Sequence, residues 1–181
     1  NYGIYSAGAS AASPNTGTVI ADNTMNAAAP ANILKAGIFV RFDDGVQVRR
    51  NTVSLVSQSS GTAAGIAMGV GPVTNVLTIT AGDEVRNALV ERNTIVNIAS
   101  PSTTGFSALG IILGPVASGT NEVVSNVVAG VLSPSTPDDI TAGIFAVAGV
   151  GATHIYFNSI AMAGSRGAAS NPSYAVAIGG T

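Results

Sequence analysis

The side chains here that could do acid–base or metal chemistry are few and fall at few places. Asp43-Asp44 follow Arg41 closely, Asp83-Glu84 and Asp138-Asp139 form two further acidic pairs, and His154 stands alone. Paired carboxylates hydrolyse glycosides when they flank the scissile bond about 5–9.5 Å apart. Adjacent strand residues point to opposite faces, so Asp43 and Asp44 cannot form such a dyad by themselves. Asp43-Asp44-Gly45 and Asp138-Asp139 read instead as turns. His154 precedes a strand-like run and has no serine or cysteine constellation, so it reads as structural or incidental. Calcium could sit at acidic turns, but the ligand pattern of a calcium loop is missing. Gly149 and Gly151 lack the third glycine and the following helix of a dinucleotide site. No catalytic, cofactor-binding or metal-binding residue is assigned, and no cofactor is expected.

The frame that would hold these groups is unusual in composition. In 181 residues, apolar side chains make up 46 %, aromatics 5 % and charges 9 %, against a usual charged share of roughly 25 %. The remainder is largely Gly, Ala, Ser, Thr and Asn, too small for a thick globular core. A net charge of −2 argues against nucleic acid, which needs a basic patch. Cysteine is absent, which excludes disulfides and thiolate metal sites. The chain opens at Asn1 without a signal-peptide pattern, as expected of a mature or excised segment. Mean hydropathy is +0.44 and no charge lies between Asp139 and Arg166. That stretch is broken by His154, Asn158, Ser159 and four glycines, whereas a spanning helix wants ~20 nearly unbroken apolar residues. No membrane span is expected.

Two marks alternate along the chain. Asn23, Asn51, Asn93, Asn126 and Asn158 each precede an apolar residue by two positions: Met25, Val53, Ile95, Val128 and Ile160. Between them fall Gly3-Ile4, Gly37-Ile38, Gly65-Ile66, Gly110-Ile111 and Gly143-Ile144, with Ala175-Val176 as a sixth mark. The asparagine steps are 28, 42, 33 and 32 residues, and periods of 20–50 mean stacked supersecondary units. Helical repeats are excluded by frequent glycine and scarce helix formers. Short apolar runs alternating with period two, bounded by Gly, Pro, Asn and Ser, mark strands. The expected fold is all-β: a right-handed parallel β-helix, or solenoid, of about five coils in a single domain spanning 1–181, with equivalent strands roughly 4.8 Å apart. Excess length at about Val73 to Val85 predicts an extra strand or hairpin in coil three. Ser100-Pro101-Ser102-Thr103 and Ser133-Pro134-Ser135-Thr136 both start seven residues after their asparagine, which supports the register. The five asparagines are expected at corners, where Asn tolerates left-handed backbone angles and stacked amides can form a ladder. Asp22–Arg50 and Arg49–Glu91 are expected as neighbouring pairs on successive coils.

The phrases Val48-Arg49-Arg50-Asn51-Thr52-Val53, Leu89-Val90-Glu91-Arg92-Asn93-Thr94-Ile95 and Ile155-Tyr156-Phe157-Asn158-Ser159-Ile160 resemble right-handed parallel β-helix repeats of the pectin-lyase-like superfamily. The last, with Ala161-Met162-Ala163-Gly164, is similar to repeats of large secreted bacterial surface proteins. The resemblance implies the fold and an extracellular or cell-surface setting, and it transmits no activity. Neither an Asn-x-Asp, a Gly-His-Gly nor an Arg-x-Lys pattern of the family's enzymes occurs.

If the isoleucines of the Gly-Ile marks point inward, Tyr5, Phe39, Ala67, Ile112, Phe145 and Ala177 point outward, with Val147 further along the same face. So apolar an outward row is unusual for solvent. Tyr5, Phe39, Ile112, Phe145 and Val147 are the candidate interface, expected to meet another chain, a neighbouring domain or a long loop. The functional expectation is a non-catalytic structural, filament-forming or adhesive segment, partnered by copies of itself or flanking domains and stacked laterally or end to end. The alternative is a polysaccharide-binding or polysaccharide-degrading β-helix, phage-spike-like included. An ice-binding solenoid wants regular outward threonine rows, and Thr24, Thr52 and Thr94 fill three of five positions.

Overall fold

The computed structural model describes residues 1–71, 83–103, 105–134, 139–149, 151–165 and 172–179, and every regular element among them is a strand. The first repeat runs through β1 (Tyr2–Ala7), β2 (Asn15–Thr16), β3 (Val19–Ala21) and β4 (Thr24–Met25). The second has β5 (Ala36–Arg41), β6 (Asp43–Asp44), β7 (Gln47–Arg49) and β8 (Thr52–Ser54). The third has β9 (Ala63–Met68), β10 (Val85–Arg86), β11 (Leu89–Glu91) and β12 (Thr94–Ala99). Then come β13 (Ala108–Leu113), β14 (Thr120–Val124) and β15 (Val127–Leu132), and β16 (Thr141–Val147), β17 (Ala152–Tyr156) and β18 (Ser159–Ala161). A sixth pass begins with β19 (Ser173–Gly179).

Each strand pairs in parallel with its equivalents one repeat away. The long sheet has the order β1-β5-β9-β13-β16-β19; two five-stranded sheets run β3-β7-β11-β14-β17 and β4-β8-β12-β15-β18; a short one runs β2-β6-β10. Ile4, Ile38, Ile66, Ile111, Ile144 and Val176 are successive register partners, so Ala175-Val176 does occupy the sixth mark. Met25, Val53, Ile95, Val128 and Ile160 form the matching row two residues past the asparagines. The strand or hairpin expected at Val73 to Val85 falls mostly on 72–82, outside the described residues; Val85 itself opens β10.

The two marks alternate because they touch. A methyl group on Gly37 would run into Val53 Cγ1, and one on Gly65 into Ile95 Cγ2. The same methyl on Gly65 would lie 2.6 Å from Gly110 O in the next strand. The long sheet and the β8–β12 sheet therefore approach so closely at this point that only hydrogen fits. Gly3, Gly110 and Gly143 meet Met25, Val128 and Ile160 in the same way. The inner core is filled by the Gly-Ile isoleucines, the row past the asparagines, and Val40, Val48, Met68, Val90, Leu113 and Val123.

The central strands of the long sheet are buried on both faces: every described residue of β9, β13 and β16 is buried. Parallel strands covered on both sides read as continuous apolar runs rather than alternating ones. A second cluster joins Phe39, Ala67, Val70, Leu109, Ile112, Phe145 and Val147 on the outer face. Of the expected interface, Phe39 and Ile112 are 1 % exposed, Val147 4 % and Phe145 8 %, all within the single chain. Only Tyr5, 52 % exposed, stays largely open, its ring 5.6 Å from that of Phe39. The outward row is thus core of this chain and not a free docking face. Residues of β7, β8 and β11 alternate between buried and half-buried, as sheets with one wet face do.

Candidate functional site

The asparagine corner is the most developed polar arrangement in the chain. Asn23 donates its backbone N–H and side-chain Nδ2 to Asn51 Oδ1 at 3.1 and 2.9 Å. Asn51 does the same to Asn93 at 2.9 and 3.0 Å, and Asn93 to Asn126 at 3.0 and 2.9 Å. Asn126 continues to Asn158 at 2.9 and 3.0 Å. Each Nδ2 also reaches a strand carbonyl one repeat back: Ile20, Val48, Val90 and Val123 for Asn51, Asn93, Asn126 and Asn158. Asn51, Asn93 and Asn126 are at most 1 % exposed. The amide is suited to this because it supplies donor and acceptor at once, and a buried polar group left unmatched costs about 1–3 kcal/mol.

The left-handed backbone expected at the asparagines lies one residue earlier. Asp22, Arg50, Arg92, Ser125 and Phe157 have φ between +52° and +60°, at roughly 1–2 kcal/mol each. The corner residue thus carries the turn and aims the following asparagine inward, where its amide bonds offset the strain.

The acidic residues are engaged separately. Arg50 grips Asp22 at 2.7 and 2.6 Å, as the register requires, and the hydrogen bond from Arg50 holds that carboxyl below its usual range. Asp44 accepts from Asn87 at 2.7 Å and Arg86 at 2.9 Å, which likewise lower it. Asp43 points inward, 1 % exposed, and accepts from Thr18 Oγ1 at 2.6 Å. Burial pushes its carboxyl up; the Thr18 bond opposes the rise and the Asp44 charge adds to it. Asp83 meets Arg41 at 2.7 Å beneath the surface, and Glu84 Oε1 accepts the N–H groups of Ala117 and Ser118. Arg49 and Glu91 are register partners, but Glu91 lies against Arg92 at 4.0 Å and Arg49 Nε is buried without a hydrogen bond, so the expected pair is not formed. His154 is exposed beside its register partner Glu122, whose carboxylate accepts from Tyr156. Asp138 is outside the described residues. Among the described residues no group of three or more His, Asp or Glu could hold a metal ion, and no helix is long and apolar enough to cross a membrane.

A groove of about 670 Å³ runs beside the β8–β12–β15 sheet. Its floor contains Leu55, Asn97 and Gly130, which occupy equivalent positions and all have positive φ, 61°, 57° and 65°. This second row of left-handed residues bends the sheet away and opens the hollow, which Asn32, Gln58 and Leu132 help to wall. Among the described residues no charged or aromatic side chain lines it. Thr24, Thr52 and Thr94 do align in register, followed by Val127 and Ser159, so their row stops at three.

Asn121 lies outside the repeat marks, yet it caps a second corner. It is 1 % exposed, accepts from Ala88 N–H at 2.9 Å and donates to Val85 O at 2.9 Å. The signal was available: like the ladder residues it precedes an apolar residue, Val123, by two positions. Leu55 offered no such signal, since leucine rarely takes a left-handed angle. No family model, curated protein or solved structure matches the chain, so its function rests on its own geometry.

Proposed function

We propose that the chain is a right-handed parallel β-helix of about five coils, of the pectin-lyase-like kind, and that its role is structural: a non-catalytic segment of a secreted or cell-surface protein that assembles with further coils or adheres to a surface. The observation that carries this reading is the unbroken asparagine ladder, which staples five repeats through a buried corner. The charged groups support it, because Asp22, Asp44 and Asp83 are each held by an arginine and none of these pairs faces the groove. Incubation with a panel of acidic and neutral polysaccharides should release no reducing ends or unsaturated products. Sustained cleavage, abolished by substituting a described carboxylate, would overturn the reading. Antibody labelling of intact source cells should find the protein at the surface, and a purely cytosolic pool would contradict that placement.

The groove favours one second reading, a polysaccharide-binding β-helix. Uncharged amides and leucines suit a neutral glycan held without chemistry. Affinity electrophoresis should then show retardation by neutral glycans that weakens with Asn97→Ala; indifference to every glycan removes this reading.

A further inference from the structure

Leu55, Asn97 and Gly130 floor the groove from three successive repeats, whose strands β8, β12 and β15 each have a parallel partner on both sides. The hollow is thus formed within the stack and not at its ends. Its three floor positions differ in what they offer. Leu55 presents an aliphatic surface, Gly130 presents no side chain, and Asn97 sets a carboxamide between them. A methyl group on Gly130 would lie 2.8 Å from Asn97 Oδ1, so the glycine leaves room for that amide. Asn97 is exposed, and among the described hydrogen bonds none engages its side chain. The wall carries two further carboxamides with part of their capacity already spent. Asn32 Nδ2 donates to Ile33 O at 3.2 Å and to Ser57 O at 2.9 Å, and Gln58 Nε2 donates to Thr62 O. Asn32 has both N–H groups engaged, which leaves its Oδ1 as an acceptor among the described hydrogen bonds.

This lining selects by what it lacks as well as by what it holds. A carboxylate or an ammonium group would lose water there with no counter-charge among the described lining residues, which disfavours uronic acids and free amino sugars. No described lining residue gives an aromatic face for the C–H side of a plain sugar ring. What suits the groove is a neutral substituent that donates, accepts and carries an apolar end. An acetamido group has that composition, with one N–H, one C=O and a methyl. A carboxamide side chain complements it with an acceptor and a donor of its own. We propose that the groove binds a neutral glycan bearing acetamido groups, with the Asn97 amide pairing to one acetamide and Leu55 and Leu132 flanking its methyl. The inference rests on the glycan-binding reading of the groove and narrows it to one substituent. The three floor positions span roughly 10 Å at the usual strand spacing, so a short linear oligomer covers them.

Isothermal titration calorimetry of the 181-residue chain tests this with two probes, an N-acetylglucosamine tetramer and a glucose tetramer of the same linkage. The two differ by an acetamido group against a hydroxyl on each ring. The acetylated tetramer should bind about tenfold more tightly, as two hydrogen bonds to Asn97 would give. Asn97→Gly removes the amide and keeps φ at 57° without strain, so the fold should persist while that preference disappears. Equal affinity for the two tetramers, or a preference that survives Asn97→Gly, would overturn the proposal and leave the glycan reading in place. Absence of binding by either tetramer would overturn it as well, and retardation by other neutral glycans then decides whether the broader reading stands.

Discussion

Asn93→Ala tests the ladder most directly. Asn93 Oδ1 accepts from Asn51 N–H and Nδ2 at 2.9 and 3.0 Å, and its own Nδ2 donates to Val48 O and Asn126 Oδ1 at 2.8 and 2.9 Å. Truncation removes all four bonds from a site 1 % exposed, and the buried Asn51 N–H loses its acceptor. With about 1 kcal/mol net for three of the bonds and 1–3 kcal/mol for the one that leaves Asn51 N–H orphaned, the loss should be roughly 4–6 kcal/mol. Asn23→Ala is the internal control. Its side chain donates to Asn51 Oδ1 and Ala21 O in a half-buried setting and no described bond reaches its Oδ1, so about 1 kcal/mol should be lost. Urea unfolding followed by circular dichroism measures both, with the slope checked for constancy because repeat arrays can unfold in parts. Equal losses at the two positions would refute the reasoning, since a set of independent turn asparagines would behave that way.

Gly65→Ala should cost about 3 kcal/mol or more, because the new methyl meets Gly110 O, which cannot rotate away, as well as Ile95; Gly17→Ala, with open space around it, should lose only its left-handed backbone preference, and thermal unfolding separates the two. Phe157→Gly should stabilise by about 1 kcal/mol, since an 83 % exposed phenylalanine gives up little packing and glycine takes φ +56° without strain; a loss of stability would point to a packing role for the ring. Phe39→Ala should cost about 3–5 kcal/mol in the isolated chain, as for a buried aromatic, and unchanged stability would return that residue to the surface. Asp43 has a folded-state pKa raised by burial, so the native state binds its proton more tightly than the unfolded chain does. Its ionisation therefore costs stability progressively as pH rises from the unfolded value through the raised one. Asp43→Asn should raise the melting temperature at neutral pH, with the gain fading as pH falls through that window, and a gain independent of pH would contradict the assignment.

Much of the fold is legible in the residues alone, because two of its requirements are local in sequence. The Gly-Ile mark recurs where no side chain fits, and asparagine recurs where one group must donate and accept in the same place. Both leave a residue type behind, so strand register and the ladder can be read by spacing. The Asp22–Arg50 pair followed from the same register.

Other features leave no residue type behind. Asp22, Arg50, Arg92, Ser125 and Phe157 share a backbone angle and no chemistry, so the residue that makes the turn is invisible in the sequence, where only the neighbouring asparagine stands out. Arg49 and Glu91 are aligned by register, yet the ion pair depends on side-chain directions that register does not set. The apolar row through Phe39, Ile112, Phe145 and Val147 forms a cluster separate from the inner core. Whether it meets solvent, a partner or its own chain depends on packing between parts distant in sequence, and the structure buries it within the chain. The groove is likewise a product of stacking, since a single bent residue makes a kink and three in register make a hollow. Short-range steric and hydrogen-bond demands are thus written in residue types at regular spacing, whereas burial and concavity are collective and exist only once the repeats are stacked.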